Sequence, residues 1–185
     1  MANAHSTVPY RQIRAYFNDT TITVYQAYKE SIAKAAVETQ KLNASPDFKP
    51  GRMTWIKPSW AWMMYRSGYS FKDPGQSRIL ALRMKHQYFI DLLERGVLSS
   101  HVQKPEPGEK REKSSDIGIP GALSEQWANE WVAEIEDVTD KACELKRVID
   151  ERPDVTDEEL LALGLIFEER LYTVPESVHR KLEMT

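Results

Sequence analysis

The sequence contains little cysteine and no long apolar run. Cys143 is the single cysteine among 185 residues, so the chain can form neither an internal disulfide nor a zinc site built from several cysteines. No apolar stretch approaches the roughly 18 residues that a membrane-spanning helix needs. The N-terminus also lacks the charged and then apolar regions of a secretory signal. We therefore expect a soluble, cytoplasmic protein without a membrane partner.

The sequence does contain enough apolar material for a globular core. Apolar residues make up 41% of the chain and charged residues 29%, a balance that is too apolar for intrinsic disorder. A chain of 185 residues is long enough for one domain with a sizeable core. We expect a disordered tail at residues 1–9 and a single domain at 10–185, which includes a flexible charged loop at 103–116.

The order of apolar patterns predicts an α+β fold. β-Branched or alternating segments predict strands at residues 10–17, 20–25, 53–56 and 78–84. Helical spacing predicts helices at residues 26–42, 58–67, 87–95, 123–138, 139–151 and 154–163, and a last short helix from Pro175. The expected architecture is a small mixed or antiparallel sheet from the N-terminal half, packed with helices and with a helical C-terminal half.

Charge is divided unevenly between the two halves. Residues 1–100 hold 14 Lys and Arg against 7 Asp and Glu, whereas residues 101–185 hold 11 against 21. The first hundred residues also hold 14 of the 18 aromatic residues. This division indicates either an anionic ligand for the basic half or attraction between the two halves within one fold.

Residues 48–72 are the most unusual part of the sequence, and we call them the acid-free segment because they contain neither Asp nor Glu. Five cations and seven aromatic residues are interleaved in it: Lys49, Arg52, Lys57, Arg66 and Lys72 with Phe48, Trp55, Trp60, Trp62, Tyr65, Tyr69 and Phe71. Arginine forks pair with phosphate oxygens, and aromatic rings stack on bases. This composition is typical of a site for a phosphorylated, base-bearing ligand.

The helix predicted at residues 58–67 would arrange the side chains of this segment on two faces. Its first N–H groups and its dipole favour an anion at the strand–helix junction, next to Lys57. Ser59, Trp62 and Arg66 share one face, which we assign to a pocket. The opposite face is assigned to the core and carries Trp60, Met63 and Met64.

Other candidate chemistry is less well supported. The four histidines are scattered without the spacing of a metal site, so we predict no metal ligands. Ser59 lacks the sequence context of a nucleophile elbow, which argues against a serine hydrolase. The acidic run at residues 134–137 is typical of a solvated face.

Several stretches resemble the domain of unknown function 4291 family. They are residues 11–15 (RQIRA), 24–28 (VYQAY), 52–59 (RMTWIKPS), 62–68 (WMMYRSG) and 131–139 (WVAEIEDVT). The resemblance covers most of the chain but implies little about activity. The chain departs from the family pattern at residues 102–119, which lack its Val-Gln-Trp-Asp-Pro-Glu-Arg run. If that region supplies catalytic groups in relatives, this member is altered or inactive.

The order of elements is also similar to that of the ADP-ribosyltransferases. That resemblance implies NAD as a substrate held between two small sheets, and a carboxylate that stabilises the cationic ribose. Tyr25 would be the aromatic anchor, and Ser59 lies where a strand runs into a helix. Asp116 is the nearby acid for the carboxylate role, although it is one carbon shorter than the glutamate of those enzymes.

These observations lead to an enzyme hypothesis with NAD as a possible substrate and no certain cofactor. Its catalytic residues would be Tyr25, Ser59 and Asp116. Its ligand-binding residues would be Arg14, Arg52, Lys57, Trp62 and Arg66.

Two alternatives stay open. The basic half could grip a nucleic acid or another polyanion without catalysis, although a pI of about 5.9 is low for a dedicated nucleic-acid binder. The basic half could also simply dock against the acidic half and bind no ligand. The sequence does not indicate the oligomeric state.

Overall fold

In the computed structural model, the described residues are 12–95, 97–98, 116–182 and 184, with the backbone alone for 97–98. The predicted tail at 1–9 and nearly all of the predicted loop, residues 103–115, lie outside the described residues.

Short strands and helices follow one another along the chain. The strands are β1 (Arg14–Ala15), β2 (Thr21–Tyr28), β3 (Thr54–Ile56), β4 (Arg78–Lys85), β5 (Val97–Leu98), β6 (Ile117–Ile119), β7 (Val132–Asp137) and β8 (Arg170–Leu171). The helices are α1 (Glu30–Thr39), α2 (Trp60–Ser67), α3 (His86–Arg95), α4 (Ser124–Gln126), α5 (Thr139–Glu151), α6 (Asp157–Ala162) and α7 (Glu176–Lys181). The expected α+β fold class is confirmed.

The central sheet is antiparallel, with strand order β2-β4-β7. Tyr25 in β2 lies opposite Ala81 in β4, and Ala81 lies opposite Glu136 in β7. Because side chains alternate across a strand, these three residues share one face of the sheet. Apolar residues cover both faces of β2 and β4, which explains why residues 78–84 read as a buried strand.

A second antiparallel sheet, with strand order β3-β6-β5, adjoins the central one. Two backbone hydrogen bonds connect the sheets: the Tyr25 N–H donates to the Lys57 carbonyl at 2.8 Å, and the Lys57 N–H donates to the Tyr25 carbonyl at 3.1 Å. A third, two-stranded pairing joins β1 to β8. The connection through Lys57 fixes the start of α2 beside the middle of β2.

The predicted helix at residues 58–67 is confirmed as α2, and both of its ends have a local cause. Ser59 is the N-cap residue, and Gly68 follows the last turn with a φ of 55°, a left-handed conformation that glycine adopts without strain. Trp60, Met63 and Met64 are buried, as predicted for the core face.

The predicted helix at residues 123–138 is wrong over its second half. Helical structure covers α4 and a π-helical turn at Trp127–Trp131, after which residues 132–137 form β7. The apolar spacing of Trp127, Trp131 and Ile135 suited a helix, but β4 needs a partner on its open edge. In β7, Ile135 pairs with Leu82 and faces the core.

Two apolar clusters lie on opposite faces of the central sheet. The larger one joins the sheet to α1, α3 and α7 and includes Trp127 and Trp131. The smaller one lies under α2 and α5 and includes Tyr25 and Trp60. Helix α2, which carries Trp62 and Arg66 of the predicted site, therefore packs on the smaller cluster.

Candidate functional site

The N-terminus of α2 already holds an acidic side chain. The carboxylate of Glu169 accepts a hydrogen bond from the backbone N–H of Trp60. The Oγ of Ser59 accepts one from the N–H of Trp62 at 3.4 Å. An anion is favoured at this helix end by the free N–H groups and by the dipole. The anion position predicted from the sequence is therefore occupied by the chain's own Glu169.

Glu169 is a residue that the sequence analysis missed. It precedes β8 and lies 109 positions from Trp60 in the chain. Its backbone carbonyl accepts a hydrogen bond from Nη2 of Arg14 at 2.9 Å, so Arg14 supports this segment rather than an open phosphate site. No local pattern separates Glu169 from Glu168, and only the three-dimensional position reveals the contact.

Tyr25 lies in the core beside this helix end and is fully buried. Its ring centroid is 5.2 Å from that of Trp60 and 6.0 Å from that of Phe167. Its hydroxyl has no hydrogen-bond partner among the described residues. Burial, and then the charge of Glu169, raises the pKa of Tyr25 well above its ordinary value. Tyr25 is therefore a neutral phenol in a packed cluster, not an exposed ring for stacking.

Lys57, Asp116 and Trp62 meet on the other side of the α2 start. The Nε1 of Trp62 donates to Oδ1 of Asp116 at 2.8 Å. The Nζ of Lys57 lies 3.9 Å from the same oxygen, and the two charged side chains are only 11% and 16% exposed. Two residues from the acid-free segment are thus joined to the one acid predicted for the site.

The contacts of the Lys57 ammonium offset little of the free-energy cost of its burial. It forms no hydrogen bond within the described chain, and its single ion pair is long. Burial lowers the pKa of Lys57, the charge of Asp116 opposes this change, and the charge of Arg66 adds to it. An oxygen of a ligand could supply the hydrogen bonds that Lys57 lacks.

The outer face of α2 carries a flat aromatic surface. The rings of Trp62 and Tyr65 are stacked, with centroids 5.0 Å apart and planes inclined by 27°. Tyr65 is 69% exposed, and Arg66 beside it is exposed as well. A base or another planar group could stack on this surface while a phosphate contacts Arg66.

Arg52 is not connected to the rest of the predicted site. It is exposed and has no hydrogen bond or ion pair within the described residues. The turn before it is fixed, because the Gly51 N–H donates to Oγ of Ser124 at 2.7 Å. A Cβ on Gly121 would lie 2.1 Å from the Gly51 carbonyl oxygen, so the two loops approach as closely as glycine allows.

The predicted site residues therefore divide into two groups. Lys57, Trp62 and Asp116 form one cluster, with Arg66 one helical turn from Trp62, and the remainder are placed in other surroundings. Ser59 caps the helix beside Glu169, Tyr25 is in the core, Arg14 binds the Glu169 segment and Arg52 stands apart.

Among the described residues, ion pairs between the basic and acidic halves are concentrated in the central sheet. In the central sheet, Arg83 pairs with Glu134 at 2.7 Å and Glu136 at 3.4 Å, and Arg78 pairs with Asp137 at 3.6 Å. In the acid-free segment only Lys57 has an ion pair within the described chain. The cations without one are Lys49, Arg52, Arg66 and Lys72.

Metal and membrane features do not add to this site. No group of three or more potential metal-binding side chains occurs among the described residues, and no helix in that part is long and apolar enough to cross a bilayer. A surface groove of about 280 Å³ is lined by α5 residues with Leu163 and Leu165, and it contains none of the predicted site residues.

Comparison with known proteins identifies the family from a match that includes the whole site. A family model described as "Domain of unknown function (DUF4291)" matches residues 12–116 and 105–172. These ranges contain Lys57, Trp62 and Asp116 as well as Glu169. No curated protein matches the chain, and no solved structure matches it. Because the matched ranges cover most of the sequence, the chain belongs to the domain of unknown function 4291 family.

Proposed function

We propose that the chain is an enzyme that binds a phosphate-bearing, nucleotide-like small molecule on the outer face of α2. The observation that carries the proposal is a cation, Arg66, next to an aromatic surface. Arg66 has no acidic partner within the described residues and adjoins the stacked rings of Trp62 and Tyr65. Stacking and a guanidinium–phosphate contact are the two interactions that a nucleotide needs.

Lys57 favours a small ligand over a polymer. Its side chain is 11% exposed, so a narrow functional group can reach the amine but a broad surface cannot. The ligand would place its ring against Trp62, its phosphate near Arg66 and a further oxygen near Lys57. Asp116 would then orient both Trp62 and Lys57 from behind. Arg52 would contribute only to long-range attraction.

NAD is the first substrate to test, with transfer of ADP-ribose as the candidate reaction. The support is the acid beside the aromatic surface, since a carboxylate can stabilise a cationic ribose. The structure adds Glu169 to Asp116 as a second carboxylate next to α2. The cytoplasm, where NAD is available, is the compartment that this proposal assumes.

Calorimetry at low salt tests the proposal directly. NAD, ADP-ribose, AMP and inorganic phosphate are titrated into the wild-type chain and into Arg66→Gln. The matched control is Arg83→Gln, because Arg83 is a partly exposed arginine that is already paired with two acids. We expect binding of at least one nucleotide, weakened at least fivefold by Arg66→Gln only. No heat with any of the four compounds contradicts the proposal.

Exposed rings beside cations favour one second candidate, a module that binds single-stranded nucleic acid without catalysis. Phe71 and Tyr65 are 70% and 69% exposed, and their neighbours in sequence, Lys72 and Arg66, have no ion pair within the described residues. Affinity for an oligonucleotide would then fall steeply with salt. Such binding weakens markedly between about 50 and 200 mM salt. An oligonucleotide Kd that stays constant over this range would reject the candidate.

A further inference from the structure

Lys57 is positioned by backbone structure and not by its own side-chain contacts. Its N–H and carbonyl both pair with Tyr25, so the backbone is fixed where the two sheets meet. Its side chain is nearly buried, yet the amine forms no hydrogen bond within the described residues. The backbone therefore fixes the position of a nearly buried amine whose ion pair with Asp116 is 3.9 Å long.

The carboxylate of Asp116 lies too far from the amine of Lys57 for a hydrogen bond. Oδ1 of Asp116 accepts the Trp62 indole N–H at 2.8 Å but lies 3.9 Å from Nζ of Lys57. The charge of Arg66 further disfavours an ammonium at Lys57. Desolvation and a nearby cation are the two conditions that make a lysine amine nucleophilic at moderate pH. The pKa of Lys57 is lowered accordingly, with burial as the largest cause.

We propose that Lys57 is a covalent nucleophile that forms an imine with an aldehyde or ketone carried by a phosphate-bearing substrate. The inference rests on the proposed function, because it uses the same aromatic surface and the same Arg66 to hold the substrate. It adds the reacting atom, Nζ of Lys57, and the reacting group, a carbonyl carbon.

The step balances without an oxidant or a reductant. The lone pair of the neutral Nζ forms a bond to the carbonyl carbon, and the carbonyl π electrons move to oxygen. One proton passes from nitrogen to that oxygen, which gives a carbinolamine. The carbinolamine loses water and leaves a C=N bond to Lys57. Asp116, whose Oδ1 lies 3.9 Å from Nζ, exchanges the proton that these steps move.

Lys29 and Lys146 lack this environment and provide internal controls. Lys29 pairs with Asp47 at 2.7 Å, and its side chain is 44% exposed. Lys146 pairs with Asp150, and its side chain is 38% exposed. Both are in contact with a carboxylate and are more exposed than Lys57.

The test uses pyridoxal 5′-phosphate as the probe, with borohydride to reduce the imine and peptide mass spectrometry to locate it. The full wild-type chain is labelled at pH ~7.5, close to neutral so that ordinary lysines stay charged. We expect Lys57 to be labelled at least tenfold faster than Lys29 and Lys146. We also expect Arg66→Gln to slow labelling at Lys57 alone. Equal rates at the three lysines in the wild-type chain overturn the proposal, whatever the variants do.

A phosphate-free probe separates this inference from the proposed function. Pyridoxal, which lacks the phosphate, is compared with pyridoxal 5′-phosphate under the same conditions. Selective labelling of Lys57 by both probes at equal rates supports the nucleophile and contradicts the phosphate site. Nucleotide binding in the calorimeter without selective labelling of Lys57 supports the proposed function and overturns the nucleophile.

Discussion

Helix α2 carries two tryptophans two positions apart, and the protein surrounds them differently. Trp60 is 2% exposed, and its Nε1 donates to the Leu165 carbonyl at 3.1 Å. Trp62 is only partly buried, and its Nε1 donates to Asp116, a charged residue. The indole of Trp60 fills the core, where a backbone carbonyl accepts its N–H. The indole of Trp62 forms one wall of a charged cluster.

The same difference extends along both faces. The inner face is completed by Met63, Met64 and Ser67, all buried. The outer face is completed by Tyr65 and Arg66, both exposed. An apolar composition alone does not distinguish the two faces of an aromatic-rich helix, but the hydrogen-bond acceptor of each indole does. Substitutions on the inner face should therefore lower stability, whereas substitutions on the outer face should lower nucleotide affinity.

Trp60→Ala should have the largest effect, and the effect is on stability. The substitution removes a buried ring that contacts Tyr25 and meets Phe167 edge-to-face at 5.3 Å. Loss of a buried tryptophan costs about 3–5 kcal/mol. Urea unfolding followed by circular dichroism measures this loss. A loss below about 1 kcal/mol would contradict the assignment of Trp60 to the core.

Trp62→Ala, in contrast to Trp60→Ala, should affect nucleotide affinity at least as much as stability. Its ring is partly exposed, so we expect stability to fall by only about 1–2 kcal/mol, mainly through the hydrogen bond to Asp116. Nucleotide affinity should fall by about 1–3 kcal/mol, the range measured for a stacked ring. Trp62→Phe is the matched control, because it keeps a ring but loses the indole N–H. Equal affinity in wild type and Trp62→Ala would remove Trp62 from the site.

The sequence could predict α2 and its faces because their causes are local. Ser59 and Gly68 mark the ends, and the spacing of Trp60 and Met64 marks the core side. The contact of Glu169 with the helix start could not be predicted in this way. It joins residues 109 positions apart, and the path of the chain between them is set by sheet pairing.

Strand β7 shows how tertiary pairing overrides a local pattern. Its residues continue an apolar spacing that suits a helix, but Glu134, Ile135 and Glu136 also alternate charged and apolar side chains. The alternation becomes decisive only because β4 presents Arg83 opposite Glu134 and Leu82 opposite Ile135. The acidic run therefore contains charge partners for the sheet, which its composition alone does not show.

Arg66→Gln and Arg83→Gln should separate a free cation from a paired one. Arg83 has two carboxylate partners at a partly exposed position, so its loss should reduce stability by less than about 1 kcal/mol and leave nucleotide affinity unchanged. Arg66→Gln should leave the melting temperature unchanged and weaken nucleotide binding at least fivefold. Thermal unfolding and calorimetry on the same samples make the comparison. Equal affinity losses in both variants would indicate a general effect of net charge.

The smallest expected effect is a pH dependence of stability that originates at Lys57. Its pKa is lowered in the folded chain, so between that value and the ordinary 10.5 the unfolded chain binds more protons. The free energy of unfolding must then rise with pH in this window. Lys57→Met should remove that rise, and the difference between the two chains cancels the titration of all other groups. The scan should stop below pH ~10, because Tyr25 has a raised pKa and loses its stabilising contribution above that point. Parallel pH profiles for wild type and Lys57→Met would mean that burial does not disfavour the ammonium, and the basis for a reactive amine at Lys57 would be lost.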